Sequence, residues 1–106
     1  MSMLLITIGR LRPGREAALV DYATNVLPLI TAAGGVAITR GRLIETVVGA
    51  DSERPDLVAV IRFPDADVIR RFLASVDYQA HLRHRDAAFE DVRSWIASDL
   101  MAGASQ

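Results

Sequence analysis

The sequence predicts an α+β fold: a four-stranded antiparallel sheet with its helices gathered on one face. Three observations predict it. The first is Leu57 to Phe63, an apolar run broken only at Arg62. Side chains on a strand alternate between faces, so Leu57, Ala59, Ile61 and Phe63 share one side and Val58 and Val60 the other. A half-exposed strand alternates apolar with polar; this one is expected to be central and buried on both sides. The second is the order of periodicities, strand, helix, strand, strand, helix. The third is that only two stretches read as long helices, enough to cover one side of a sheet.

At 106 residues the chain is expected to form one domain, with a core over about residues 3–98 and a tail over 99–106. Apolar residues make up 51%, ample for a core, while aromatics are only 6%. The formal charge is −1, which argues against nucleic acid as a partner. All 12 basic residues are arginine, which makes better planar clamps than lysine. Cysteine is absent, which removes disulfides, thiolate nucleophiles and Cys-ligated metals. The apolar run within Met1 to Gly9 is too short to span a membrane and lacks a basic flank, so a cytoplasmic protein without a membrane partner is expected.

Taken in order, Leu4–Ile8 reads as the first strand. Pro13-Gly14 is a turn signal, and a helix follows from about Arg15 to Ala33. Its buried stripe is Leu19, Tyr22, Ala23, Val26, Ile30 and Ala33. Glu16 suits the positive end of the helix dipole. Pro28 lies inside and should kink or tighten the helix, since it has no N–H for the carbonyl of Thr24. Gly34-Gly35 ends it. Val36–Val48 reads as the second strand, with a bulge or bend expected at Gly41. Gly49–Pro55 is a polar loop, and Leu57–Phe63 the third strand.

Asp65 is placed to cap the second helix, whose stripe is Val68, Ile69, Phe72, Leu73 and Val76. A short helix from about Tyr78 to Arg85 follows, with Asp77 as its cap. The last element is open. Phe89, Val92, Trp95, Ile96 and Leu100 match a helix; Val92, Ser94, Ile96 and Ser98 match a strand, and the pattern slightly favours helix. The tail from Met101 to Gln106 is expected to fray. If the last element is a strand, the arrangement is the split βαβ, or ferredoxin-like, βαββαβ sandwich. Right-handed crossovers then put both helices on one face. Leaving three or four Val, Leu or Ile side chains bare on the other forgoes roughly 1.5–3 kcal/mol each, against a total stability of about 5–15 kcal/mol. A homodimer joined through the sheet faces is the simplest cover.

Four features together resemble one family: Tyr22…Pro28…Gly34-Gly35 at the helix exit, Arg40-Gly41…Glu45…Gly49, Arg62-Phe63-Pro64 and Asp77-Tyr78-Gln79…Arg85. They resemble the domain-of-unknown-function family thirteen-thirty of the dimeric α/β-barrel superfamily, over roughly residues 3–98. The resemblance implies a ferredoxin-like protomer pairing sheet to sheet, and a strand as the last element. Its superfamily includes cofactor-free monooxygenases, ring isomerases, haem-handling enzymes and stress-induced proteins, so fold alone does not choose a chemistry.

Tyr78, His81 and Arg85 stand at i, i+3 and i+7 and would share a helix face. A phenol, an imidazole and a guanidinium there could hold a carboxylate or enolate with His81 as general base, or be a capping Tyr with a surface His and Arg. His81 and His84 have a spacing that sets two ligands side by side, but no carboxylate cluster accompanies them, and no metal and no cofactor are expected. Arg40 and Arg62 sit on strands that look buried and need a partner or a wet cavity: anion recognition, an ion pair with Glu45, or reach to solvent. The Tyr22 ring belongs to the core, its hydroxyl reaching a pocket; Trp95 reads as a packing or interface residue. No nucleophile elbow or phosphate loop is present. The leading reading is a cofactor-independent small-molecule enzyme of monooxygenase or isomerase type, with Tyr78 and His81 catalytic and Tyr22, Arg40 and Arg85 binding an anionic small-molecule ligand. The alternatives are a non-catalytic ligand-binding or stress-response dimer, and a purely structural dimer.

Overall fold

The order of elements is β1 (Met3–Leu11), α1 (Glu16–Ala32), β2 (Val36–Arg42), β3 (Leu57–Phe63), α2 (Ala66–Ala74), α3 (Val76–Gln79), α4 (Leu82–Ala88) and β4 (Phe89–Ser98), in a computed structural model that describes residues 2–101. The four strands form one antiparallel sheet in the order β2-β3-β1-β4. β3 lies inside the sheet, as its two apolar faces require. The last element is a strand, although its own residues lean to a helix. It pairs with β1 along its length, and its charged residues, Glu90, Asp91 and Arg93, are exposed on this edge.

Register decides which side chains meet. Across the helix-covered face, Met3 lies opposite Phe63, Leu5 opposite Ile61 and Ile96, Thr7 opposite Ala59 and Ser94, and Gly9 opposite Leu57 and Val92. The first two rows are bulky, and α1 and α2 pack there. Leu5, Val26, Ile30, Ile61, Phe63, Ile69, Phe72 and Tyr78 form the buried core, with Phe63 and Ile69 almost wholly sequestered. The Phe63, Phe72 and Tyr78 rings run in series, with centroids 5.7 and 5.0 Å apart.

Helix boundaries follow local chemistry. Asp65 caps α2 by accepting from the Val68 N–H at 2.8 Å. At the end of α1, Gly34 takes φ +88°. Gly35 admits the close approach of two neighbours: a Cβ there would stand 2.6 Å from Ile30 Cγ2 and 3.0 Å from Phe63 Cε1. α1 itself runs through Pro28 to Ala32.

Several boundaries differ from the expected ones. β2 ends at Arg42, not Val48; Leu43–Ala50 is irregular, and Ile44, Val47 and Val48 are exposed. The irregularity in β2 falls between Ala37 and Thr39, not at Gly41. α2 stops at Ala74, leaving Val76 exposed, because Ser75 caps a new helix: its Oγ accepts from the Tyr78 N–H at 3.1 Å. Ser75, not Asp77, is therefore the cap, and the expected single helix over Tyr78–Arg85 is two, α3 and α4. Arg62 pairs with Asp99 at 3.2 Å rather than with Glu45. That pair, and an Asp99 carboxylate accepting from the Met101 N–H at 3.1 Å, tie the chain beyond β4 to the sheet; the rest of the expected frayed tail, 102–106, lies outside the described residues.

Among the described residues no element lies over the second face of the sheet, where Leu4, Ile6, Ile8, Val58 and Val60 are only half-buried and Trp95 is 51% exposed.

Gly35→Ala is expected to lower stability by about 1–3 kcal/mol through overpacking, and Phe63→Ala by about 3–5 kcal/mol. Gly41→Ala, whose Cβ would meet only Val58 Cγ1 at 3.9 Å, is expected to be near neutral. Urea midpoints compare the three.

Candidate functional site

The bulk of the helix-facing rows falls from Phe63 and Ile61 to Thr7, Ala59 and Ser94 along the sheet. Side chains that short do not reach α1. A cavity of about 350 Å³ opens between the sheet and α1, closed on one side by α3 and α4. Leu19, Tyr22, Ala23 and Val26 of α1 form its roof, and Thr7, Ala59 and Ser94 lie in its floor. Thr7 and Ser94 satisfy each other, Oγ to Oγ at 2.8 Å.

Its polar end gathers residues from three helices. The Tyr22 hydroxyl on α1 meets that of Tyr78 on α3 at 3.3 Å. Arg85 on α4 lies beside Tyr78 and contacts the Asp86 carboxylate at 3.4 Å. Phe89 stands edge-on to Tyr22, with centroids 6.3 Å apart. Arg40 and Arg42 reach the cavity from β2, and Arg40 makes no ion pair among the described residues. Three arginines thus line the cavity, and no Asp, Glu or His does so among the described residues.

The protonation states follow from surroundings. Tyr22 is held well above its ordinary 10.0, first by burial and then by the charge and hydrogen bond of Tyr78, with Arg85 acting in the opposite sense. Tyr22 is therefore a phenol and not a phenolate. For Arg85, burial alone would lower the pKa, but the hydrogen bond and charge of Tyr78, with the Asp86 carboxylate, outweigh it and the net displacement is upward. A single hydrogen lies between the two tyrosine oxygens, leaving the other O–H free. The cluster therefore presents a free phenolic O–H beside a guanidinium.

Of the residues expected to form a site, Tyr22, Arg40, Tyr78 and Arg85 line the cavity and His81 does not. The break at Ala80-His81 between α3 and α4 takes His81 off the face that Tyr78 and Arg85 share; its Nδ1 faces Nδ1 of His84 at 3.3 Å. Arg42, Phe89, Thr7 and Ser94 were not singled out in the sequence. Phe89 looked like part of a helical stripe, and the small residues carry no signal until register sets them in one row.

The family model described as a domain of unknown function, DUF1330, matches residues 6–99. The chain belongs to this family. Among solved structures, this DUF1330 chain is similar to a protein of unknown function from Rhodopseudomonas palustris, with 23% identity and a TM-score of 0.81 over 93% of this chain and 82% of that one. It is also similar to a dabb family protein with a ferredoxin-like fold from Mesorhizobium loti, at 15% identity and a TM-score of 0.68 over 93% and 97% of the two chains. A third is a dimeric protein of unknown function and ferredoxin-like fold from Bacteroides fragilis, at 10% identity and a TM-score of 0.66 over 92% and 95%. These likenesses show the ferredoxin-like fold. No curated protein matches the chain.

In this DUF1330 protein the raised Tyr22 pKa has a thermodynamic sign. Above the ordinary value of 10.0 the unfolded chain releases a proton that the folded one keeps, so stability falls as pH rises through that range. Urea unfolding at about pH 9 and about pH 11 is expected to show this loss, and Tyr22→Phe is expected to reduce it.

Proposed function

We propose that this protein binds a small apolar molecule ending in a carboxylate, or in a carbonyl able to take up negative charge. The observation that carries this reading is the cavity lining: apolar along the roof, Arg40 and Arg42 at the β2 edge, Arg85 and two phenols at the helical end, and no carboxylate among the described residues. Such an end attracts acceptors and anions and repels cations. The volume sits at the lower end of about 300–1,000 Å³ common for ligand pockets, which suits a single ring or a medium-length chain.

A cofactor-independent enzyme of isomerase or monooxygenase type is the second reading. What favours it is the free phenolic O–H beside Arg85, since donors aimed at a carbonyl also stabilise the enolate that forms from it. Such chemistry needs a base, and neither His81 nor any carboxylate described here lines the cavity; the proton would have to pass to water or to the ligand itself. Binding is therefore the better supported function.

We further infer a homodimer through the open faces of the sheets. The half-buried row of Leu4, Ile6, Ile8, Val58 and Val60 supports it, as does the dimeric Bacteroides fragilis protein of the same fold.

Calorimetric titration with benzoate and octanoate, against benzyl alcohol and octanol, tests the binding reading. The carboxylates are expected to bind and the alcohols to bind far more weakly. Arg85→Gln is expected to weaken carboxylate binding by about 10- to 100-fold, and Ala59→Leu, which fills the floor, to abolish it without unfolding the protein. Equal affinity for acids and alcohols would refute the anion-accepting end. For the assembly, sedimentation at micromolar concentration is expected to give a dimer, and Val60→Glu a folded monomer by circular dichroism; a wild-type monomer would end that inference.

A further inference from the structure

We propose that His81 and His84 form a chelating site for one Zn²⁺ ion, separate from the cavity and independent of what it binds. The two rings meet nitrogen first. Their Nδ1 atoms are 3.3 Å apart while their centroids are 5.4 Å apart, so the rings face each other through Nδ1 rather than stacking. That separation is within reach of a single long N–H···N hydrogen bond. It matches a shared ion: two imidazole nitrogens at 2.0–2.1 Å on a tetrahedral centre stand about 3.3–3.4 Å apart.

The backbone holds this spacing before any ion arrives. The His81 N–H donates to the Tyr78 carbonyl at 2.9 Å, and the His81 carbonyl accepts from the N–H groups of His84 at 3.0 Å and Arg85 at 3.2 Å. Both side chains are half-buried, which limits their rotation while leaving a path for an ion. Neither ring has another hydrogen-bond partner among the described residues. With both protons on Nε2, two lone pairs face each other, an arrangement that a cation stabilises. No group of three or more His, Cys, Asp or Glu side chains able to hold a metal occurs among the described residues. The remaining two positions on the ion would therefore be taken by water, leaving the ion open to an added ligand. Bound there, it closes a ring across the turn that joins α3 to α4.

The test uses the untagged full chain and Zn²⁺ alone, in a buffer that does not chelate. Calorimetry is expected to show one ion per chain with micromolar affinity, reversed by EDTA, and at least tenfold weaker binding in His81→Gln and in His84→Gln. The chain has 2 histidines, so ring-nitrogen NMR of the wild type is an independent readout that does not depend on a variant folding. Zn²⁺ is expected to shift Nδ1 of both rings together. Absence of binding, affinity unchanged in both variants, or a shift confined to Nε2 would each overturn the proposal.

Discussion

The size gradient across the helix-facing side of the sheet governs both the stability and the hollow of this molecule. At one end Phe63, Ile61 and Leu5 meet Ile69 and Phe72 and close-pack. Two rows on from Phe63, the same strands and β4 carry Ala59, Thr7 and Ser94. α1 crosses both ends as one continuous helix, so the shallow end stays unfilled. The cavity is thus a direct consequence of strand register: shifting β3 by one residue against β1 would bring its opposite face under the helices and remove it. The filled end carries the free energy of folding, and the hollow end can be shaped by a ligand without breaking the core.

The second constraint comes from the other face. β1 and β3 are apolar on both sides because each is interior to the sheet, yet a 106-residue chain has only enough helix for one side. The irregular Leu43–Ala50 segment adds to the imbalance, with Ile44, Val47 and Val48 all more than four-fifths exposed. Its neighbours are not loosely held. The Leu43 N–H donates to the Asp56 carbonyl at 2.8 Å, Arg54 donates to Thr46 Oγ1 at 2.8 Å, and Asp56 accepts from the Leu11 N–H at 2.7 Å. An anchored apolar segment beside an open apolar face is what the proposed pairing of two copies would use.

Much of this architecture was legible in the chain, for reasons that differ by element. Leu57–Phe63 was readable to its ends because Asp56 and Pro64 bracket a run with no polar interruption, and Asp65 announced the next helix. Val36–Val48 looks like one strand because apolar content reports a need for burial and not a backbone partner; Ile44, Val47 and Val48 have the first without the second. β4 was ambiguous because its apolar residues fall at spacings that serve both periods, and pairing with β1, a contact between distant positions, decides the matter. The site was legible where a residue's chemistry sat oddly in its pattern: Tyr22 on an apolar stripe, Arg40 on a strand, Tyr78 and Arg85 on one helical face. His81 shared that face only on paper, since Ser75 starts a new helix and the turn at Ala80-His81 rotates the next one. No local signal reveals a row such as Thr7, Ala59 and Ser94, whose members are adjacent only through register.

Tyr78 shows how closely the two halves of the molecule are joined. Its ring is 8% exposed and stacks in series with Phe72 and Phe63, so its apolar surface belongs to the core. Its hydroxyl lies between Tyr22 and Arg85 at the polar end of the cavity. The residue is held by Ser75, whose hydroxyl accepts from the Tyr78 N–H and donates to the Phe72 carbonyl at 2.7 Å, fixing α3 to the end of α2. A truncation to alanine would therefore disturb packing and polarity at once, whereas loss of the oxygen alone leaves the ring stack in place. The cavity's polar end is rigid because it is the far side of the hydrophobic core, and a ligand that engages it meets donors already fixed before it arrives.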